Sequence, residues 1–195
     1  MHANLASMHL PVAQQLHPLS RAHALNTPLR RYLQSPYRIL RPYIHPGMHV
    51  LDLGCGTGFF TIPLAEMLTA TGSVTGVDVQ AGMLKILQKR LKAGSGHATV
   101  HLHKNTAEAL QISGLFDFVL AFYSFHEVKY LENLLEELQQ HLKPGARILI
   151  AEQRFHVPAI HFKAILSLMK LKGYCLLGRP RIFFSRAALF EYPGA

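Results

Sequence analysis

The feature that most constrains the fold is an alternation of short apolar runs with longer helical patterns along the 195-residue chain. Strands are predicted at 48–53, 73–79, 98–103, 116–122 and 146–152, and helices at 58–70, 81–93 and 130–142. Strands that alternate with helices in this way form a parallel sheet with crossover helices. Because the apolar runs are almost continuous, we expect helices to cover both faces of the sheet.

The C-terminal part of the chain adds a different pattern. Residues 159–171 predict another helix, and 174–177 and 183–190 predict two extended segments that form a terminal hairpin. The tripeptide Lys143-Pro144-Gly145 is interpreted as a stop before the fifth strand, since proline cannot continue a helix.

Length and composition fit one domain, predicted at 28–195, with a flexible tail at 1–27. No stretch approaches the roughly 18 apolar residues that a membrane helix needs. The two cysteines, Cys55 and Cys175, are too few for a disulfide framework or a zinc cluster. We therefore expect a cytoplasmic protein without a metal site.

The formal net charge of +9 is concentrated at the two ends of the chain. Residues 1–51 carry +5 and residues 139–195 carry +7, whereas residues 52–138 carry −3. Positive ends can attract nucleic acid, anionic lipid or an acidic substrate, or they can simply form a solvated surface. A nucleic-acid partner is possible on this ground but is not favoured.

The segment VLDLGCGTGFFT, residues 50–61, is the most informative motif. A buried strand runs directly into Gly54, Gly56 and Gly58, which permit a tight turn and a close approach of backbone to ligand. The predicted helix begins there, so its free N–H groups should face a bound molecule. Phe59 occupies the position of the third glycine of a dinucleotide fingerprint, and a glycine-rich turn alone is weak evidence.

Asp78 strengthens the interpretation, because it closes the second predicted strand 24 positions after Gly54. A doubly wound fold places an acid there to accept hydrogen bonds from ribose hydroxyls. The alternative is an aspartate that caps the helix starting near Gln80.

Four motifs, VLDLGCGTG, VTGVDVQAGML, FDFVLAFYSFHEV and LKPGARILIAE, make residues 36–192 resemble class I S-adenosylmethionine-dependent methyltransferases, in particular the ubiquinone and menaquinone C-methyltransferases. The resemblance implies an α/β fold with a Rossmann-like doubly wound sheet of seven strands, mostly parallel with an antiparallel C-terminal hairpin. It also implies that S-adenosylmethionine is the cofactor, that S-adenosylhomocysteine is released, and that a small or medium-sized molecule accepts the methyl group.

The same resemblance assigns residues to the cofactor. Asp52 and the glycine turn would hold the methionine part, and Asp78 the ribose. The family commonly has an acid in the loop after the third strand, whereas this chain has Lys104-Asn105-Thr106-Ala107-Glu108, so an amide or hydroxyl must replace it. The expected cofactor-binding residues are Asp52, Gly54, Cys55, Gly56, Thr57, Gly58, Asp78, Val79, Gln80, Thr106, Ala107, Glu108, Ala121 and Phe122.

His126 and Tyr123, just beyond the fourth strand, are the candidate catalytic residues. A histidine can accept a proton near neutral pH, although a histidine here can also simply pack against a loop. The ring of Tyr123 could face a positive sulfur or an apolar acceptor, although aromatics here are more often part of the core. His156 and Glu152 are weaker candidates for the base. Cys55 is not expected to be a nucleophile, because no basic residue adjoins it.

Two other functions stay open. The basic termini could guide an RNA or protein methyltransferase, whose binding would weaken steeply with added salt. The chain could also be a non-catalytic module that binds S-adenosylmethionine. The basic segment 29–43 either forms a lid over the acceptor or covers the edge of the sheet as an amphipathic helix.

Overall fold

The computed structural model of the chain describes residues 27–91, 98–106 and 108–194. The strands are β1 His49–Leu53, β2 Ser73–Val77, β3 Thr99–His103, β4 Phe116–Phe122, β5 Leu142–Gln153, β6 Cys175–Gly178 and β7 Ser185–Glu191. The helices are α1 Pro28–Leu33, α2 Pro36–Leu40, α3 Thr61–Leu68, α4 Ala81–Leu91, α5 Leu131–Gln139 and α6 Ala159–Leu171. A 3-10 turn, Phe125–Glu127, follows β4.

The seven strands form one sheet in the order β3-β2-β1-β4-β5-β7-β6. The first five strands pair in parallel, and β7 lies antiparallel to both β5 and β6. This confirms the predicted doubly wound sheet and its C-terminal hairpin. In such sheets ligands bind beyond the carboxyl ends of the strands, so the ends of β1 to β4 define the edge of interest.

Two apolar layers cover the sheet, one on each face. Along β4, Val119 and Ala121 belong to the layer formed with α5 and α6, whereas Phe118 and Leu120 belong to the layer formed with α2 and α3. Side chains alternate between the faces of a strand, so an uninterrupted apolar strand requires cover on both sides. The prediction of helices on both faces is confirmed.

Several predicted boundaries are wrong: β2 ends at Val77 instead of 79, and α5 ends at Gln139 instead of 142. Helix α3 begins at Thr61 instead of 58, because the glycine turn continues to Phe60. Lys143-Pro144-Gly145 does not separate a helix from a strand but lies inside β5. Gly145, at φ +78°, lies between the β4 pairings of Leu142 and Arg147, where the register shifts. A proline without an N–H group is tolerated at such an irregularity.

The N-terminal part of the chain is described from Thr27 onward, so the remainder of the predicted tail lies outside the described residues. The hydroxyl of Thr27 accepts a hydrogen bond from the N–H of Arg30 and thereby caps α1. Within the described ranges no helix combines the length and the apolar character required to span a bilayer.

Candidate active site

The glycine turn and Asp78 lie together at the carboxyl ends of β1 and β2. The N–H groups of Gly54 and Cys55 both donate to the carbonyl of Val77, each at 2.9 Å. The N–H of Gly56 donates to Oδ2 of Asp78 at 3.0 Å. The two motifs that the sequence singled out therefore face the same place, as a nucleoside pocket between them requires.

Two glycines of the turn are fixed by close packing and by backbone conformation. Gly54 has φ +76°, and a Cβ atom there would lie 2.6 Å from Cβ of Ser124. Gly58 has φ +86°, and a Cβ atom there would lie 2.2 Å from Cδ1 of Leu87. Only glycine adopts these angles without strain. The turn is thus wedged between the exit of β4 and helix α4.

The carboxylate of Asp78 holds the turn and the start of α4 at once. Besides the bond from Gly56, its Oδ1 accepts the N–H of Gln80 at 2.8 Å, which is the capping contact that the sequence left open. Burial raises the pKa of Asp78, although these two N–H bonds oppose the shift. An ionised carboxylate offers about four lone-pair sites, so two hydrogen bonds leave acceptor capacity for ribose hydroxyls.

Asp52 lies beneath the turn rather than on its surface. Its side chain is 3% exposed, and its Oδ2 accepts the hydroxyl of Thr61 at 2.7 Å. Burial raises its pKa to about 7, the charge of Asp78 adds to the shift, and the Thr61 bond opposes it.

The other residues expected at the cofactor differ in how much surface they offer. Cys55 and Thr57 are buried in the turn, and burial raises the pKa of the Cys55 thiol, in keeping with a structural cysteine. Ala121 is completely buried and Phe122 is 7% exposed, so β4 contributes little side-chain surface there. Val79 and Gln80 are partly exposed and Glu108 is exposed, whereas Ala107 lies outside the described residues.

Buried polar atoms without a partner gather at the same edge. In the described part of the chain they are His103 Nε2, Asn105 Oδ1 and Ser124 Oγ, all at the carboxyl ends of β3 and β4. Because such atoms cost free energy unless a partner satisfies them, this edge is suited to a polar ligand. Ser124 was not among the expected site residues, and Asn105 was named only within the run in which an amide or hydroxyl was expected to replace the missing acid. Their position two residues beyond the carboxyl end of a strand is the signal that could have identified them.

His126 and Glu152 form a pair at the exits of β4 and β5. The carboxylate of Glu152 is fully buried. Its Oε1 accepts the backbone N–H of His126 at 3.1 Å, and its Oε2 lies 2.7 Å from the ring atom Nδ1 of His126. Burial opposes a charged imidazole, but the hydrogen bond and charge of Glu152 outweigh it and raise the pKa of His126. With Nδ1–H donating to Glu152, Nε2 is the nitrogen that can accept a proton. The ring of His156 packs edge-on against His126 at 5.0 Å.

Tyr123 links Gln34, the residue after α1, to Ser185, the first residue of β7. Its backbone has φ +64°, which is rare for an aromatic residue. Its hydroxyl accepts a hydrogen bond from Gln34 Nε2 and lies 2.7 Å from Ser185 Oγ. The guanidinium of Arg30 lies 4.2 Å from the ring centre of Phe59 and 5.7 Å from that of Tyr123. Helix α1 thus packs over the carboxyl edge of the sheet between the glycine turn and the exit of β4, where either a lid or an edge cover would lie.

Residues 50–145 match the protein-family model described as a methyltransferase domain. This range contains the glycine turn, Asp78, Asn105 and the candidate base His126. This match is to a methyltransferase domain, the class of domain that the four motifs resemble. The resemblance inferred from the four motifs is thereby confirmed.

The chain has relatives that are named demethylmenaquinone methyltransferases. The chain is 38% identical over 105 residues to the demethylmenaquinone methyltransferase of Lactiplantibacillus plantarum, a match covering 53% of this chain and 44% of the relative. It is 31% identical over 115 residues to the demethylmenaquinone methyltransferase of Symbiobacterium thermophilum, a match covering 58% of this chain and 46% of the relative. The match thus spans less than half the length of these relatives.

The fold of the methyltransferase domain recurs in solved structures. A SAM-dependent methyltransferase from Aquifex aeolicus superposes with a TM-score of 0.81, and the match covers 90% of this chain and 99% of that protein. At 22% identity, this likeness shows a shared fold.

A cavity of about 410 Å³ lies away from the glycine turn. It is lined by residues at the starts of β1, β2 and β4 and along β3, among them His49, Ser73, His101 and Phe116. Neither Asp78 nor a residue of the glycine turn contributes to its wall. It is therefore distinct from the place where Asp78 meets the glycine turn.

Proposed function

We propose that this chain transfers a methyl group from S-adenosylmethionine to a small or medium-sized acceptor and releases S-adenosylhomocysteine. The observation that carries the proposal is the hydrogen bond from the Gly56 N–H to Asp78 Oδ2 at 3.0 Å. It joins the glycine turn to the second-strand acid at one edge of the sheet. The family of residues 50–145 and the names of the relatives support the same reaction.

The residues present at this edge fit an adenosyl ligand. Asp78 would accept the ribose hydroxyls with the lone pairs that Gly56 and Gln80 leave open. The N–H of Asp78 donates to the carbonyl of His103 at 3.3 Å, so the end of β3 adjoins it. The unpartnered Oδ1 of Asn105, two residues further on, is suited to accept the adenine amino group in place of the missing acid.

Thr106 is a weaker candidate for the adenine contact. Its hydroxyl already accepts the N–H groups of Glu108 and Ala109 at 3.3 and 3.1 Å within its own turn. At the methionine end, Ser124 has an unpartnered buried hydroxyl beside Gly54. We therefore assign Ser124, together with the backbone of the turn, to the polar groups of the methionine part.

The bound cofactor would supply a methyl group activated by its positively charged sulfur. The task of the protein is then to align the acceptor with that methyl group and to exclude water. When methyl replaces hydrogen on the acceptor, a proton must leave. We assign the uptake of this proton to His126 Nε2, and we assign to the buried Glu152 the role of holding the ring in the required tautomer and stabilising its charge.

Among acceptors we favour a lipophilic ring of the quinone type. Both relatives described above are named for demethylmenaquinone, and the partly exposed ring of Tyr123 packs on Phe122 beside the glycine turn, where it offers an apolar surface. A nucleic-acid or protein acceptor has less support, since neither relative is named for one. A cytoplasmic location, expected from the sparse cysteines, is part of this proposal.

Calorimetric titration with S-adenosylmethionine and S-adenosylhomocysteine tests the cofactor assignment. Asp78→Asn should weaken both affinities by roughly tenfold to a hundredfold, the loss expected for charge-assisted hydrogen bonds. Asp117→Asn is the matched control, because Asp117 accepts from the His49 N–H and Lys143 at the opposite edge of the sheet. If neither S-adenosylmethionine nor S-adenosylhomocysteine produced heat, the proposal would be refuted.

Asn105 can be tested in the same titration. Asn105→Ala should weaken binding of both adenosyl compounds severalfold, because one hydrogen bond to the adenine amino group is lost. Asn105→Asp should bind at least as well as the native chain, since the carboxylate keeps an acceptor oxygen at the same place. Equal affinities of the native chain and Asn105→Ala would move the adenine contact elsewhere.

The pH dependence of turnover, with demethylmenaquinone as the trial acceptor, tests the base. The rate should rise with pH through the raised pKa of His126, because only the neutral ring accepts a proton. Glu152→Gln should move this rise to lower pH, whereas Glu127→Gln should move it less, because Glu127 lies 4.0 Å from Nε2. A rise at the same pH in Glu152→Gln contradicts the role of the pair, and binding without turnover would favour the non-catalytic module.

A further inference from the structure

Three exposed phenylalanines form a cluster where β5 ends and β7 begins. Phe155 exposes 87% of its surface, Phe184 53% and Phe183 44%. The ring centres of Phe155 and Phe184 are 5.6 Å apart, and those of Phe183 and Phe184 are 4.1 Å apart. Grouped apolar side chains of this size on a surface mark an interaction site. We call these three residues the phenylalanine cluster.

A cavity of about 770 Å³ opens beside the cluster, and several positively charged side chains line it. Phe183 and Phe184 form part of its wall. Its charged lining residues are Arg154, Lys163, Arg179, Arg181 and Arg186. The sequence has no Asp or Glu between Glu152 and Glu191, and no carboxylate lines the cavity within the described residues. The surface is therefore positive without local compensation.

One of these five charged side chains is held by backbone carbonyls of the protein, and the other four are available for a partner. The guanidinium of Arg186 donates to the carbonyls of Arg154 and Val157 at 2.7 and 2.9 Å. Arg154, Lys163, Arg179 and Arg181 form no ion pair with any described residue. All four are exposed.

We propose that this surface docks the protein onto an anionic lipid bilayer. The unpaired cations would lie at the level of the lipid phosphates, and the phenylalanine cluster would enter the boundary between headgroups and acyl chains. Ile160, 67% exposed on the first turn of α6, extends the apolar surface with an aliphatic side chain. A bilayer accepts aliphatic and aromatic groups alike, whereas single-stranded nucleic acid gains chiefly from aromatic stacking.

The docking surface borders the candidate acceptor site. Phe183 precedes Ser185, whose hydroxyl lies 2.7 Å from that of Tyr123. The carbonyl of Phe183 accepts the Gln34 side chain at 2.9 Å, so α1 meets the same connection. A lipophilic molecule could thus pass from the bilayer to the active edge. The docking itself requires neither cofactor nor acceptor, so it stands or falls apart from the proposed function.

Sedimentation of the full chain with lipid vesicles tests the docking. Vesicles of phosphatidylcholine with phosphatidylglycerol should carry the protein down, added salt should release it, and pure phosphatidylcholine should bind it far less. The double variant Arg179→Ala, Arg181→Ala should lower the partition coefficient roughly tenfold or more. Phe155→Ser should lower it roughly tenfold through lost apolar burial.

Matched controls separate this surface from the overall positive charge. Lys85→Ala with Lys89→Ala removes the same charge from exposed positions on α4 and should leave partitioning within about twofold of the native value. Leu171→Ser removes an apolar side chain that is 67% exposed at the far end of α6 and should behave likewise. All the substituted residues are exposed, so circular dichroism should show unchanged folding.

Three results would overturn the proposal. One is that the α4 control loses as much vesicle binding as the double variant of Arg179 and Arg181, which would mean that the net charge of the protein, and not this surface, attracts the vesicles. Another is equal binding to neutral and anionic vesicles. The third comes from titrating a fluorescent RNA oligonucleotide with the same variants: weaker RNA binding with unchanged vesicle binding would assign the surface to nucleic acid instead.

Discussion

The buried carboxyl group of Asp52 should make the chain less stable as the pH rises. Burial raises its pKa from 3.8 to about 7, despite the hydrogen bond from Thr61. Between these two pH values the folded protein keeps a proton that the unfolded chain has released. Stability falls with pH wherever the folded state binds more protons, so the loss begins near the unfolded pKa and is complete above the folded one.

The size of the effect follows from the shift. One pKa unit corresponds to about 1.4 kcal/mol. The loss begins below pH 5, and the part of it that falls between roughly pH 5 and pH 8 lowers the free energy of unfolding by about 2 to 3 kcal/mol. Asp52→Asn keeps the shape of the side chain and an oxygen for the Thr61 hydroxyl but does not titrate. Its stability relative to the native chain should therefore increase by that amount over the same range.

Urea unfolding followed by circular dichroism, without cofactor, measures both proteins across this pH range. Comparing the two curves removes the contribution of other groups, such as His126. In Thr61→Val, the loss of stability caused by titration of Asp52 should extend to higher pH, because removing the hydrogen bond that Thr61 donates raises the pKa of Asp52 further. Parallel curves for the native chain and Asp52→Asn would show that Asp52 does not titrate as burial requires.

Three further substitutions test the packing. Gly58→Ala should cost about 2 to 4 kcal/mol of unfolding free energy because of φ +86° and the contact with Leu87, and adding Leu87→Ala should not restore it, since the backbone strain remains; full recovery would contradict this. Tyr174→Phe should cost roughly 1 kcal/mol in urea unfolding, because a buried hydroxyl loses its bond to a carbonyl of α5; an unchanged midpoint would mean that the bond is not formed. Lys143→Met should cost less than about 1 kcal/mol, because its pair with Asp117 is partly exposed; a larger loss would show a stronger pair.

Local pattern was sufficient to predict the elements that are buried on both sides or regularly amphipathic. Strand β4 was predicted at its observed bounds from an unbroken apolar run, and α6 from helical spacing. The start of β5 was missed, because its conformation depends on a distant partner. The Gly145 N–H donates to the carbonyl of Tyr192 at 2.8 Å, and the Tyr192 N–H donates to Ala146, contacts that no local pattern indicates.

The contacts of the candidate site also fall into those that the sequence predicts and those that it does not. The approach of Gly56 to Asp78 could be predicted, because parallel strands bring their carboxyl ends to one edge. The pairing of His126 with Glu152 could not, since the two residues are 26 positions apart and both were only separate candidates for the base. The unpartnered state of Ser124 and Asn105 depends on what surrounds each atom, which requires coordinates.

The carboxyl edge of the sheet combines several features that each oppose folding of the unliganded chain. Asp52 and Asp78 have raised pKa values, Ser124 and Asn105 hold unpartnered buried atoms, and Tyr123 has a positive φ. Such costs persist where function requires them, and other parts of the fold must offset them. A ligand that satisfied the polar atoms would recover part of this free energy on binding. The same features that weaken the edge therefore make it the place where a polar ligand gains most.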